Sequence, residues 1–367
     1  MKILEPEVVR DRIRGCLIGL AIGDALGAPF EILDHLEIAY GVNDPDGVTG
    51  FIRQPKGCSP EIRRRLRQRA SGAITDDTQL SEATAVSLLR CGGYNREDQV
   101  RTFVEAYRTS SVGWGGTTIA AAKAFSDWLY GDPLEHDGRP GRRPLSDTPP
   151  PIEPGRSCGN GVAMKVAPLA LYYALRQPNG VYEFYDDLKS FGLMTHGDPR
   201  AWIGAMGIGL TIIECLTRPQ VRSDAELAWL FRTIIGNTDS QERHFAPSMP
   251  DDDRLAKRYA AVIPALSGAQ LLRETAGTSC YTLESVPFAV GTFMRHANDY
   301  RTAVLEAVNA GGDTDTNAAM VGAMVGANVG ESGIPKAWIQ TVPSTERMRA
   351  LADKMFNRFW YGHGNKI

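Results

Sequence analysis

Glycine recurs at every fourth position in RGCLIGLAIGDALG, as Gly15, Gly19, Gly23 and Gly27. Four residues make slightly more than one helical turn, so the four positions form a stripe almost free of side chains along one face. Each interior glycine costs a helix roughly 1 kcal/mol. The stripe therefore predicts a neighbour approaching to backbone distance and a central first helix. The same three-to-four spacing of apolar and small residues returns at Leu80, Ala83, Ser87 and Leu88, and in TTIAAAKAFSDWLY, WIGAMGIGLTIIECL, AELAWLFRTII, DRLAKRYAAVIPALSGAQLLRE and YRTAVLEAVNA. Alternating, β-branched-rich runs are scarce, so the pattern predicts an all-α fold with no sheet.

Two stretches break the helical texture. Residues 131–156 are proline-rich and residues 236–253 are polar, and both read as surface loops or insertions. Neither separates compositionally different halves, so residues 1–367 read as one compact multi-helix domain. A net charge of −3 gives no overall bias toward polyanions, and nucleic acid is not indicated as a partner. Six scattered cysteines without a CxxC pair suggest neither a disulfide framework nor a zinc site. The charged N-terminus lacks the apolar core of a signal peptide, and stretches such as AAMVGAMVGANVG fall short of a bilayer span. The expected location is the cytoplasm, with no membrane partner.

The chemistry is carried by two acidic clusters of one grammar. In ITDDTQ, Thr75 is placed as an N-cap with Asp76 and Asp77 in the first turn; in NAGGDTDTNAAM, a glycine pair precedes Asp313, Thr314, Asp315 and Thr316. Either alone reads as an ordinary acidic helix start. Ionised carboxylates at the lip of an apolar helix need a positive partner, however, and two such clusters meeting would make a set of hard oxygen ligands. Oxygen-only ligation suits Mg²⁺ or Mn²⁺, and the absence of Cys and His from both clusters argues against zinc or copper. A two-metal hydrolytic site is the chemical expectation.

Five motifs in order, RGCLIGLAIGDALGAPFE, ITDDTQLSEA, SCGNGVAMKVAP, MTHGDPRAW and NAGGDTDTNAAM, resemble those of the ADP-ribosylglycohydrolases, the family of the dinitrogenase reductase-activating and ADP-ribosyl-arginine hydrolases. The resemblance implies an all-α domain with a binuclear metal cleft. It makes Thr75, Asp76, Asp77, Asp313, Asp315 and Thr316 the ligands of two divalent cations, Mg²⁺ or alternatively Mn²⁺, and leaves Thr314 a structural part of its turn. Glu31 then activates water or protonates the leaving group, with Asp315 counted beside it as catalytic. Asp24 is expected to hydrogen-bond behind the metals. Ser157, Gly159, Asn160 and Gly161, before a helix expected near Val162, are candidates for the diphosphate of ADP-ribose, and His196 for substrate contact.

The implied activity removes ADP-ribose from an ADP-ribosylated acceptor by cutting at the distal ribose, with arginine as the first acceptor. A two-metal phosphohydrolase acting on ADP-ribose and a non-catalytic, crystallin-like ADP-ribose binder are the alternatives. Trp114 in SVGWGGTT reads as a packing residue, or as a wall of the adenosine side. The run RQPKGCSPEIRRRLRQR, with seven basic residues and one acid, reads as a solvated helix face or as a patch steering polyanions.

Overall fold

The computed structural model describes residues 4–52, 56–130, 157–176, 180–221 and 223–360. The expected insertion at 131–156 and Arg53 of the basic run lie outside them. In chain order the helices are α1 Pro6–Gly27, α2 His35–Val42, α3 Pro60–Gln68, α4 Asp76–Cys91, α5 Arg96–Thr109, α6 Gly116–Tyr130, α7 Ala167–Leu175 and α8 Gly180–Gly192. They continue as α9 Pro199–Thr217, α10 Asp224–Phe245, α11 Leu255–Val262, α12 Ala269–Ala276, α13 Thr282–His296, α14 Tyr300–Asn309, α15 Thr314–Val329, α16 Lys336–Thr341 and α17 Ser344–Met355. No strand is present among the described residues, and two isolated bridges, Asp34 with Gly311 and Gly159 with Tyr281, are the β-type pairing.

The glycine stripe meets its partner in α15. A Cβ added at Gly15, Gly19, Gly23 or Gly27 would lie 2.3, 2.3, 2.0 and 2.3 Å from the carbonyl oxygens of Gly326, Gly322, Ala318 and Thr314. Descending numbers on one helix against ascending numbers on the other make the pair antiparallel, and Gly322 and Gly326 return the contact to Gly19 and Gly15. Every residue of α15 from Thr314 to Asn328 is buried, and α1 is buried continuously from Gly15 to Gly27. A helix apolar on all sides is a core element, and α9, α13, α14 and α17 enclose this pair.

Two sequence expectations are corrected, and one helical run is seen to divide. The stretch 236–253 is not a loop throughout, because α10 runs to Phe245 and a 3₁₀ turn follows at Asp251–Asp253. Its polarity belongs to an exposed helical face with an Arg243–Asp239 pair, while the buried Glu242 turns inward and accepts from Leu255 N at 2.6 Å and Ala256 N at 3.2 Å, capping α11. DRLAKRYAAVIPALSGAQLLRE breaks into α11, a 3₁₀ turn at Pro264–Ser267 and α12, since Pro264 lacks a ladder N–H and Gly268 is extended. Two helices, Pro6–Phe30 and Pro199–Thr217, do have the length and apolarity to cross a bilayer; here 94% and 83% of their apolar windows are buried in the domain's own core.

One substitution has opposite outcomes at two sites. Gly23→Ala forces backbone apart at the α1–α15 contact and is expected to destabilise by at least about 1–3 kcal/mol. Gly236→Ala, on the exposed face of α10 with nothing within 4 Å of the new methyl, is expected to stabilise by up to about 1 kcal/mol. Urea unfolding with an unchanged slope measures both; a tolerated Gly23→Ala would contradict the packing.

Candidate metal centre

The first acidic cluster is set by a residue from another helix. Asp24, on α1 and 0% exposed, accepts from Thr75 N at 2.9 and 3.0 Å, Thr75 Oγ1 at 2.7 Å, Thr78 N at 3.1 Å and Thr78 Oγ1 at 2.5 Å. Its carboxylate thus caps α4 in trans, where the free N–H groups of a helix start favour negative charge. Thr75 holds the N-cap position without capping by its own side chain; its hydroxyl donates to Asp24 and lies 3.0 Å from Asp77 Oδ2. This fixes Asp76 and Asp77 at the first turn of α4.

The second cluster is delivered by the glycine pair. Gly311 and Gly312 both have φ +78°, and a Cβ there would meet Leu33 O and Thr278 O at 2.7 and 2.5 Å. That left-handed backbone is open to glycine at little cost. It lets Ile32 N donate to Gly312 O, Gly312 N to Leu33 O and Asp313 N to Thr278 O at 2.7, 2.8 and 2.9 Å. Thr314 Oγ1 donates to Gly27 O at 2.8 Å, the structural role expected of it. The turn after α1 is held against the turn before α15, and it carries Glu31. Ile32, next to Glu31, sits at φ +68° and is 80% exposed, an uncommon conformation for a β-branched residue and one that surrounding bonds must hold.

Together these turns bring carboxylate oxygens of Glu31, Asp313 and Asp315 within 4.8 Å of one another. Burial pushes Asp76 up to about 8, with Asp24 adding to the rise. Burial also holds Asp77 and Asp315 well above the ordinary carboxylate range, reinforced by Asp24 at Asp77 and by Asp313 at Asp315. Asp313 is raised less freely, because Asn160, Asp315 and Thr316 hydrogen-bond it. Burial raises Glu31 against the downward pull of Arg69. Asp77 Oδ1 is buried without any hydrogen-bond partner. Crowded, protonation-prone carboxylates with an unpartnered oxygen and no neutral nitrogen or sulfur among them are the donor set of a hard divalent cation, and the residues fit that group.

The remaining expected site residues fall into two sets. Asn160 reaches the acidic centre, donating from Nδ2 to Asp313 Oδ2 at 2.8 Å, while its backbone N–H is committed to Cys280 O. The helix expected near Val162 is a 3₁₀ turn, Ala163–Lys165, with α7 beginning at Ala167. Ser157 accepts from Thr117 Oγ1 at 3.1 Å. His196 is buried behind the glycine loop: its ring lies 2.8 Å from where a Gly161 Cβ would sit and 3.3 Å from one at Gly159. Burial pushes it down to about 3, so it is neutral and supports the loop from beneath. Trp114 packs between Phe103 and Tyr107 and donates to Gln79, and the adjoining Gly113 lies over Thr75 and Asp76.

Sequence reasoning missed two cations. Arg69, at the end of the basic run, donates to Glu31 Oε2 at 3.1 Å and lies 3.7 Å from Asp315 Oδ2. Lys165, within the GNG motif, is buried, sits 3.2 Å from Thr195 Oγ1, and is pushed down to about 7 by burial. A charged residue inside a glycine-rich, apolar motif was the available signal for Lys165. For Arg69 the basic run masked it.

An all-helical domain with an all-oxygen acidic pocket at the meeting of two helix starts belongs to the class of helical proteins whose site is suited to holding a metal ion. The chain belongs to the ADP-ribosylglycohydrolase family, whose model matches residues 5–363. It is 27% identical to ADP-ribosylhydrolase ARH3 of Gallus gallus, covering 94% of this chain and 92% of the relative. It is 26% identical to the ADP-ribosyl-[dinitrogen reductase] glycohydrolase of Rhodospirillum rubrum, over 90% of each chain. ADP-ribosylarginine hydrolase Tri1 of Serratia proteamaculans is 25% identical, covering 94% of this chain and 79% of its own. A solved ADP-ribosylglycohydrolase-related protein complex shares the fold at TM-score 0.64 and 24% identity, covering 96% of this chain and 99% of that one. The protein is accordingly a glycohydrolase that releases ADP-ribose from an acceptor.

The acid pocket makes stability depend on pH and cation together. A carboxyl raised to about 8 in the folded protein, as Asp76 is, favours folding fully below its unfolded value near 4 and loses that contribution as pH rises through 8. A bound cation selects the ionised form. The rise in thermal midpoint on adding Mg²⁺, relative to chelator, is therefore expected to grow from pH 5.5 to pH 8.5. A pH-independent increment would separate cation binding from these carboxylates.

Proposed function

We propose that Thr75, Asp76, Asp77, Asp313, Asp315 and Thr316 hold two divalent cations, Mg²⁺ or Mn²⁺, and that Glu31 performs proton transfer at the bond between the distal ribose and its acceptor. The observation that carries this reading is the convergence of Glu31, Asp313 and Asp315 beside the α4 carboxylates, with Asp77 Oδ1 left unpartnered. When bound, the cations supply charge stabilisation for the sugar oxygens and lower the pKa of the attacking water.

The chain's own residues prepare the site. Asp24 fixes the first turn of α4, so Asp76 and Asp77 need no reorganisation to reach a ligand. Asn160 orients Asp313 from its Oδ2 side. Glu31, lifted by burial, holds a proton closer to neutral pH than a solvated glutamate does, which suits a donor to the leaving group and then a base toward water. Ser157, Gly159 and Gly161 remain the diphosphate contacts, with His196 acting through the loop it supports. Asn160 is assigned to the acidic centre through its side chain.

Arginine is the first acceptor class. The Tri1 relatives are named for ADP-ribosylarginine, and the Glu31–Asp315 mouth accommodates a guanidinium in this chain, that of Arg69. Six unbridged cysteines, four of them buried, support a reducing compartment such as the cytoplasm.

Incubation of the purified enzyme with arginine- and serine-linked ADP-ribose and Mg²⁺, with products identified by mass, is expected to give free ADP-ribose, first from arginine. AMP as the product would overturn the glycosidic reading. Asp76→Ala and Asp315→Ala are expected to abolish turnover, and Glu31→Gln to lower kcat by about 10²–10⁴. Full activity of Asp315→Ala would sink the assignment.

A further inference from the structure

Arg69 is where the basic run stops being a surface feature. On α3, Arg64 and Arg65 are paired with Glu61 at 2.7 and 2.8 Å. The chain turns extended at Arg69, φ −116° and ψ 102°, which carries this one guanidinium toward the acidic centre. There Nη2 donates to Glu31 Oε2 at 3.1 Å, while Nη1 donates to Ala28 O at 3.1 Å and stands 3.7 Å from Asp315 Oδ2. One side chain thus spans two of the three carboxylates whose oxygens converge. Arg65 Nη1 adds a bond to Glu31 O at 2.9 Å, holding the same turn.

We propose that Arg69 is a built-in counterion that competes with the divalent cations for Asp315, anchored there by its bond to the adjoining Glu31, and so sets the affinity of the centre. The proposal rests on the metal reading of the same carboxylates. A hard cation draws oxygens to about 2.1 Å and repels a second positive charge from them. A guanidinium and a metal cation cannot share the same carboxylate oxygens without mutual repulsion. Cation binding therefore loosens the Arg69 bridge, and the bridge weakens cation binding. A cavity of about 200 Å³ between this turn and α3, lined by Pro29, Ile32, Arg64 and Gln68 among others, gives the displaced guanidinium room. Through the Glu31 bond, Arg69 is also a positioning residue for the proton-transfer group: its grip weakens as the centre fills.

Calorimetric titration with Mn²⁺, without substrate, tests this on wild type, R69Q, R69K and R64Q. R69Q is expected to bind Mn²⁺ about fivefold tighter or more, corresponding to one lost charge-paired hydrogen-bond set, and R64Q within twofold of wild type. R69K keeps the charge but lacks the fork that spans both carboxylates, so it is expected to fall between them; it also serves if R69Q does not fold. The thermal midpoint of R69Q is expected to drop in chelator and to recover toward wild type in saturating Mn²⁺. Unchanged or weaker Mn²⁺ binding in R69Q and R69K would overturn the competition, as would equal tightening in R64Q, which would make the effect long-range charge. Wild type that binds no Mn²⁺ at all would overturn the metal reading itself.

Discussion

The backbone contact between α1 and α15 is the constraint from which the rest of the structure follows. Helices packed through ordinary side chains lie 8–10 Å apart with room to slide and rotate; here glycine meets carbonyl at four successive turns, and the register is fixed. Gly27 against Thr314 is the last of these contacts, so the turn leaving α1 and the turn entering α15 are held side by side. Both deliver carboxylates, Glu31 from one and Asp313 and Asp315 from the other. Asp24, one turn earlier on α1, then captures the start of α4 and brings Asp76 and Asp77 to the same place. The stripe that weakens α1 as an isolated helix is what assembles the centre.

The centre concentrates negative charge that the surrounding helices do not neutralise. Asp24, Asp76, Asp77, Asp313, Asp315 and Glu31 are all raised from their ordinary values, each chiefly because it is buried. Among the described residues, Lys165 on one side and Arg69, with Arg65, on the other oppose them. Such an arrangement is poor structural economy for its own sake, since buried like charges cost more than apolar packing would. Strain of this kind belongs to sites where a ligand completes the balance.

The helical class, the central first helix and both acidic clusters were legible because each is local: periodicity, a glycine interval, a cap followed by two acids. That the clusters meet was carried by the resemblance, and the structure supplies the physical reason in Asp24. What polarity alone suggested was less reliable. The stretch after Gly236 looked like a loop because its outer face is charged, yet Glu242 and the helical pairs keep it in α10 to Phe245. Asn160 and His196 read as candidate substrate contacts in sequence; the structure adds that one also donates to Asp313 and the other packs beneath its glycine loop, relations set by residues more than a hundred positions away in one case and by a tight glycine turn in the other. Arg69 was hidden because a run of arginines has no internal mark showing which member turns inward.

Asp24 and Asp77 show why residue type underdetermines role. Both are buried aspartates within a few ångströms of the same threonine. Asp24 receives donors on both oxygens, from two backbone N–H groups and two hydroxyls, so its lone pairs are occupied and its work is to hold α4 in place. Asp77 has Thr75 Oγ1 at 3.0 Å from one oxygen, but that hydroxyl's proton goes to Asp24, and its other oxygen has no partner at all. A carboxylate saturated with donors has little left to offer a cation, whereas one left short has a ligand's free lone pairs at the cost of being buried. Counting donors, rather than acids, therefore separates the residue that builds the site from the one that serves it.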